Sequence, residues 1–182
     1  LSNADQVDRA FDEVAEQVGP YDVLFNHAGT IIVKALHETT PEEYDRLMAI
    51  NVRSAFLVCR RAVREMSDNG GGSIVITGSI ASELGYPLES VYCMTKGAVL
   101  QLARTISAEY RDQGIRCNAV CPGFVKTAHG LREISELDAA GQEWEEGALV
   151  EAQGRICEPE EVAAAVVFLA SDESSFITGN AL

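Results

Sequence analysis

Two unbroken apolar triplets, Val23-Leu24-Phe25 and Ile74-Val75-Ile76, and a third strand-like stretch over 115–120 are separated by long amphipathic patterns. A strand buried on one face alternates apolar and polar residues, whereas a strand covered on both faces does not. Such strands alternating with helices predict an α/β fold: a doubly wound, Rossmann-like parallel sheet with helices on both faces. Sheets of this kind bind ligands beyond the carboxyl ends of their strands. The residues of interest should therefore follow the strands, and three polar or Gly-containing segments do: Asn26-His27-Ala28-Gly29, Ser79, and Pro122–Thr127.

The intervening helices carry their own signals. Residues 3–18 place Val7, Phe11, Val14 and Val18 on one face, with Ser2 or Asn3 as cap and Gly19-Pro20 as stop. Thr40-Pro41-Glu42-Glu43 reads as a capping box with Pro in the first turn. The helix it opens should run to about Met66 with a bend near Asn51, because a mid-helix Asn carries a propensity cost. Its second half lines up Val52, Phe56, Cys59, Val63 and Met66, while Leu57 and Val58 fall off that face, which predicts deep burial or an oligomer contact. A turn over Gly70–Gly72 precedes the second strand, a loop spans 79–90, and a helix follows over 91–112 with Val99, Leu102, Ala103, Ile106 and Tyr110 aligned. Residues 128–150 are polar and acidic, consistent with a mobile helical lid, and Glu158-Pro159-Glu160-Glu161 opens a last helix through Ala170.

Tyr92-Cys93-Met94-Thr95-Lys96 is the chemical centre. On a helix, i and i+4 share a face, so phenol and ammonium converge. A cation about 4 Å away at an effective dielectric of ~20 contributes up to ~4 kcal/mol. That is enough to lower a phenol pKa by as much as about three units and make it a usable acid/base. Ser79 follows a strand a short loop ahead of Tyr92, where its hydroxyl can hold a substrate oxygen against the phenol. Asn51 offers an amide at the helix bend. Singly each signal is weak, since Tyr-x-x-x-Lys arises readily by chance.

Together, Asn26-His27-Ala28-Gly29, Asn51-Val52, Ser79, Tyr92-x-x-x-Lys96, Pro122-Gly123-Phe124-Val125-Lys126-Thr127 and Ile177-Thr178-Gly179 resemble, in order and spacing, the short-chain dehydrogenase/reductase family. The resemblance covers nearly the whole chain. It implies catalytic roles for Asn51, Ser79, Tyr92 and Lys96. Tyr92 would exchange a proton with the substrate oxygen, and Ser79 would orient that oxygen. Lys96 would lower the Tyr92 pKa and hold the nicotinamide ribose, and Asn51 would hold a water leading from Lys96 to solvent. Asn26, Ala28, Gly29, Pro122, Gly123, Val125 and Thr127, with Tyr92 and Lys96, would bind NAD or NADP, and Asn26 would also brace the sheet. The substrate would be a small alcohol or carbonyl compound. The helices over 51–66 and 91–112 would join copies into a homodimer or homotetramer.

Two departures qualify the resemblance. No Gly-rich turn follows a strand ahead of a helix, because Gly70–Gly72 precedes a strand instead. Residues 1–182 therefore read as a single Rossmann-like unit lacking its first two βα units, about 60 residues at ~30 each, with the strand after Gly179 also cut. The residue that chooses NAD or NADP would lie in the absent part. Second, His27 stands where the family motif usually has Asn. Two other functions remain open: a nucleotide-sugar epimerase or dehydratase, which can share Tyr-x-x-x-Lys, and a catalytically silent fragment unable to hold cofactor. Leu84, Tyr86, Leu88, Phe124 and Trp144 are candidate walls of an apolar substrate pocket, and Ser90-Val91 ahead of Tyr92 favours an alcohol, diol or sugar over an acyl-carrier substrate.

Charge narrows the partners. With 28 acidic against 14 basic residues and a net charge of -14, neither nucleic acid nor an anionic membrane surface is expected. The three histidines are scattered and no cysteine pair reads C-x-x-C, so no metal is expected. Five cysteines fit reduced thiols in a cytoplasmic setting.

Overall fold

A computed structural model describes residues 1–142 and 153–182. Strands β1 (Val23–Asn26), β2 (Gly72–Thr77) and β3 (Ile115–Val120) form a parallel sheet in that order. Leu24 pairs with Ile74, and Ile74 with Cys117. Beyond β3, Ala181 bridges Ala119 in parallel, and the Cys121 N–H donates to the Leu182 carbonyl at 2.6 Å. The residues after Gly179 thus extend the sheet beside β3.

The unbroken apolar character of β2 has a direct cause. Ile74 and Ile76 point into a core made with α3 (Ser54–Asp68) and α4 (Ser90–Tyr110). Val75 points the other way, onto Leu169 of the last helix, Pro159–Ala170. Successive side chains on a strand face opposite sides, so a strand covered on both sides is apolar throughout. That last helix is α6 here; α1 (Ala4–Val18), α2 (Pro41–Met48) and α5 (Ala128–Ala139) complete the described helices.

Local chemistry sets the helix ends. Thr40 Oγ1 accepts from the Glu43 N–H at 3.2 Å and the Glu43 carboxylate accepts from the Thr40 N–H at 2.9 Å, the reciprocal capping expected at α2. Asn3 caps α1 and Gly19 ends it at φ 81. The expected bend is a π-helical turn over Ala49–Arg53, joining α2 to α3 with Asn51 buried at its centre. Inserted π turns recur at functional sites because the widened turn re-aims a side chain.

Two expectations need correction. Cys59, Val63 and Met66 are buried as expected, but Phe56 is 51% exposed; the buried face of α3 is centred instead on Cys59, Ala62 and Met66 with Ala55. Leu57 and Val58 pack on Val7 of α1, so α1 accounts for the second apolar face. On α1 only Val7 is buried, while Val14 and Val18 are exposed. The lid expected over 128–150 is helical over Ala128–Ala139; its end lies outside the described residues.

One side chain ties α6 and the C-terminal segment to β3. The Arg116 guanidinium donates to the carbonyls of Leu169, Ser171 and Ile177 and to Ser174 Oγ at 2.9–3.3 Å. The Leu169 and Ser171 carbonyls end α6, where a cation is favourable. Arg116→Met is expected to cost about 2 kcal/mol, because it removes charge-assisted hydrogen bonds that join three segments; a denaturant melt measures it, and an unchanged midpoint would refute the anchoring role.

Candidate active site

The chain turns sharply after β2. A Cβ on Gly78 would stand 2.6 Å from Cys121 Sγ, so only glycine lets this turn pass the end of β3. Ser79 follows, 9% exposed, its Oγ accepting from the Ala81 N–H at 3.1 Å. α4 then begins after Leu88, held at φ 65. Tyr92 and Lys96 lie one turn apart on its buried face.

Lys96 Nζ donates to the Thr77 carbonyl at 2.9 Å and sits 5.5 Å from the centroid of the Tyr92 ring. Burial lowers its pKa to about 8, against the pull of Cys121 and Glu133. Asn51 is fully engaged: Oδ1 accepts from the Thr30 N–H at 2.9 Å, and Nδ2 donates to the Thr30 carbonyl at 2.8 Å and Thr95 Oγ1 at 2.9 Å. It fastens the loop after β1 to α4. A Cβ on Gly29 would lie 3.4 Å from Asn51 Oδ1 and 3.9 Å from Lys96 Nζ, so the glycine leaves open the space before both.

Ser79, Tyr92 and Lys96 line one cavity of about 670 Å³ together with Ala28, Gly29, Pro122, Gly123, Val125 and Thr127. Thr127 also caps α5, its hydroxyl accepting from the Gly130 N–H at 3.0 Å. Asn26 and Asn51 stand behind the wall. The Asn26 amide is directed into α3, at 3.3 Å from the Ala55 carbonyl and 3.5 Å from Cys59 Sγ; this is the bracing expected of it, without a place in the cavity. Of the apolar candidates, Tyr86 and Phe124 line the cavity and Leu84 and Leu88 do not. Trp144 lies outside the described residues.

The electrostatic expectation for Tyr92 is reversed. Burial raises its pKa well above the ordinary phenol value; a Ser79 hydrogen bond pulls it down, and Glu133, Glu89 and Cys93 push it further up. At this separation, and with its own charge weakened by burial, Lys96 does not overcome the cost of desolvating a phenolate.

Sequence reasoning missed several wall residues. His27 Nδ1 lies 2.9 Å from Thr77 Oγ1, its ring stacked on Phe25. His129, Gly130 and Glu133 enter from one face of α5, and Glu89 from the start of α4. The His27 departure was a signal in hand; for Glu133 the sequence offered none. Among the described residues no cluster of three or more His, Cys, Asp or Glu could hold a metal ion, and no helix is long and apolar enough to cross a membrane. All five cysteines are free.

A family model described as enoyl-(acyl carrier protein) reductase matches residues 1–182. The chain is 40% identical over 163 residues to 2-keto-3-deoxy-L-fuconate dehydrogenase of Xanthomonas campestris, covering 88% of itself but 54% of that relative, about half its length. It is 37% identical over 190 residues to 2-(R)-hydroxypropyl-CoM dehydrogenase of Xanthobacter autotrophicus, covering 100% of itself and 72% of the relative. A gluconate 5-dehydrogenase from Burkholderia cenocepacia, solved with NADP and tartrate, superposes with a TM-score of 0.90 at 32% identity, over 100% of this chain and 69% of that one. With a parallel sheet, a strand-end cavity and these relatives in hand, the chain belongs to the short-chain dehydrogenase/reductase family of oxidoreductases.

Proposed function

We propose that this chain is the substrate and nicotinamide side of an NAD(P)-dependent oxidoreductase that interconverts a secondary alcohol and its carbonyl compound. The observation that carries this reading is that the Ser79 hydroxyl, the Tyr92 phenol and the Lys96 ammonium share one cavity at the carboxyl ends of the strands. Its size suits a small substrate and the nicotinamide end of a cofactor. The residues fit that group. Gly29 leaves room before the Lys96 ammonium, whose remaining N–H donors suit ribose hydroxyls, and Pro122, Gly123, Val125 and Thr127 form a mixed wall of apolar surface and one hydroxyl. When bound, nicotinamide takes up or supplies the hydride. Ser79 holds the substrate oxygen, and Tyr92, kept protonated by burial, gives that oxygen a proton as the carbonyl becomes an alcohol. Asn51 holds the Thr30 backbone and Thr95 in place beside Lys96.

The test is stoichiometry. One equivalent of NAD(P)⁺ is expected to be reduced per secondary alcohol oxidised. Turnover without net change in cofactor would point instead to epimerase or dehydratase chemistry. The same reading places the protein in the cytoplasm, in keeping with its free thiols. It also makes it a homodimer or homotetramer through α3 and α4, whose Phe56 and Met94 are each 51% exposed. Light scattering at a monomer mass would refute that assembly.

A further inference from the structure

Two carboxyl groups from separate elements meet in the cavity that holds Ser79 and Tyr92. Glu89, 4% exposed, is the N-cap of α4. A carboxylate there would ordinarily accept from the free N–H groups of the first turn. Glu89 makes no such bond; it lines the cavity wall together with Glu133 of α5, and the two carboxyls act on one another there. The residue before it, Leu88, adopts φ 65, a left-handed conformation costly for a branched side chain, and such strain collects at functional sites. The Leu88 carbonyl is pinned by the Lys34 N–H at 2.6 Å. The fold thus gives up a helix cap and accepts backbone strain to hold this carboxyl in the cavity wall.

Among the described residues, neither carboxyl forms an ion pair. Tyr86, Tyr92 and Cys93 face Glu89, and Lys96, Arg132 and Glu136 face Glu133. Lys96 donates to the Thr77 carbonyl, and Arg132 donates to Thr30 Oγ1 and pairs with Glu136; both draw the Glu133 pKa down without forming an ion pair with it. Burial raises both carboxyls to about 7, so near neutrality they share protons rather than both ionise. Such a pair presents oxygen lone pairs to the cavity. An ammonium or hydroxyl group can donate to them, whereas a carboxylate would add a further anion to a poorly solvated wall.

Resting on the reading of this cavity as a substrate site, we propose that Glu89 and Glu133 select the substrate. They accept hydrogen bonds from an ammonium or hydroxyl group next to the reacting carbinol and turn away substrates with a carboxylate there. Three matched alcohols test it: 1-amino-2-propanol, 1,2-propanediol and lactate. With glutamate carboxyl carbons labelled, NMR follows the titration of the pair in the full chain. Saturating 1-amino-2-propanol is expected to move the midpoint to lower pH by about one unit, a tenfold change in proton affinity. 1,2-Propanediol is expected to move it less, and lactate to leave it in place or raise it. In Glu133→Gln the coupled titration becomes that of one carboxyl and the response to the amine shrinks. A midpoint unmoved by the amine and the diol, or lowered equally by lactate, overturns the proposal. A midpoint lowered by the amine with no probe reducing nicotinamide leaves this selection standing and sinks the oxidoreductase reading instead.

Discussion

A Tyr92→Phe variant is expected to reduce carbonyl substrates about 10²–10⁴-fold more slowly than the wild type, the usual contribution of a positioned acid/base. The substitution keeps the ring, which packs with Ile31, Leu47, Ala81 and Val91, and removes only the hydroxyl. Stability should change by about 1 kcal/mol or less, the net worth of a single hydrogen bond at most. The loss should fall on kcat rather than KM, because the proton moves only as the carbonyl oxygen gains charge. A phenol held protonated by burial is already in the donating form across the ordinary pH range. Carbonyl reduction should therefore show no loss of rate at neutral pH from a deprotonated Tyr92. Steady-state kinetics on nicotinamide absorbance measure this, with a melting curve as control for folding. A folded variant with undiminished turnover would remove Tyr92 from the chemistry.

What could be read in the sequence was what short-range rules decide. The reciprocal Thr40/Glu43 cap, the unbroken apolar triplet of β2 and the i,i+4 spacing of Tyr92 and Lys96 are local, and each took the expected form. The Asn51 bend was legible because a mid-helix Asn conflicts with its neighbours; that it is a π turn depends on α4 and the Thr30 loop. Asn26 looked like a cavity residue by its place at a strand end, but pleating sends successive side chains to opposite faces, and this one faces α3. The Tyr92 pKa was misjudged for a related reason. A sequence supplies the spacing of the cation but not the depth of burial or the Glu133 carboxyl arriving from α5. Glu133 carried no local signal, since only the packing of α5 over the strand ends brings it to Glu89.

That carboxyl pair gives the second large effect, on stability. The folded-state pKa of Glu89 is raised from 4.5 to about 7, by burial first and then by Glu133. Between these values the folded chain keeps a proton that the unfolded chain has released. Stability must then fall as pH rises through that window, and the penalty is constant above it. At 1.36 kcal/mol per unit that rise is worth about 3–4 kcal/mol, which partial solvent screening at the cavity trims to about 2–3 kcal/mol above pH ~7. Glu89→Gln removes the titration with little change in shape, and its amide can donate to Glu133. The variant is expected to be more stable than the wild type by about 2–3 kcal/mol at pH ~8 and no more stable at pH ~4, where both forms are uncharged at this position. It should lose substrate selection as it gains stability, the exchange expected where a site holds groups that the fold would otherwise shed. Denaturant melts of both proteins across that range decide it. A variant that is less stable at pH ~8, or a stability difference independent of pH, would show that Glu89 is ionised and satisfied in the folded protein and that the wall holds no shared proton.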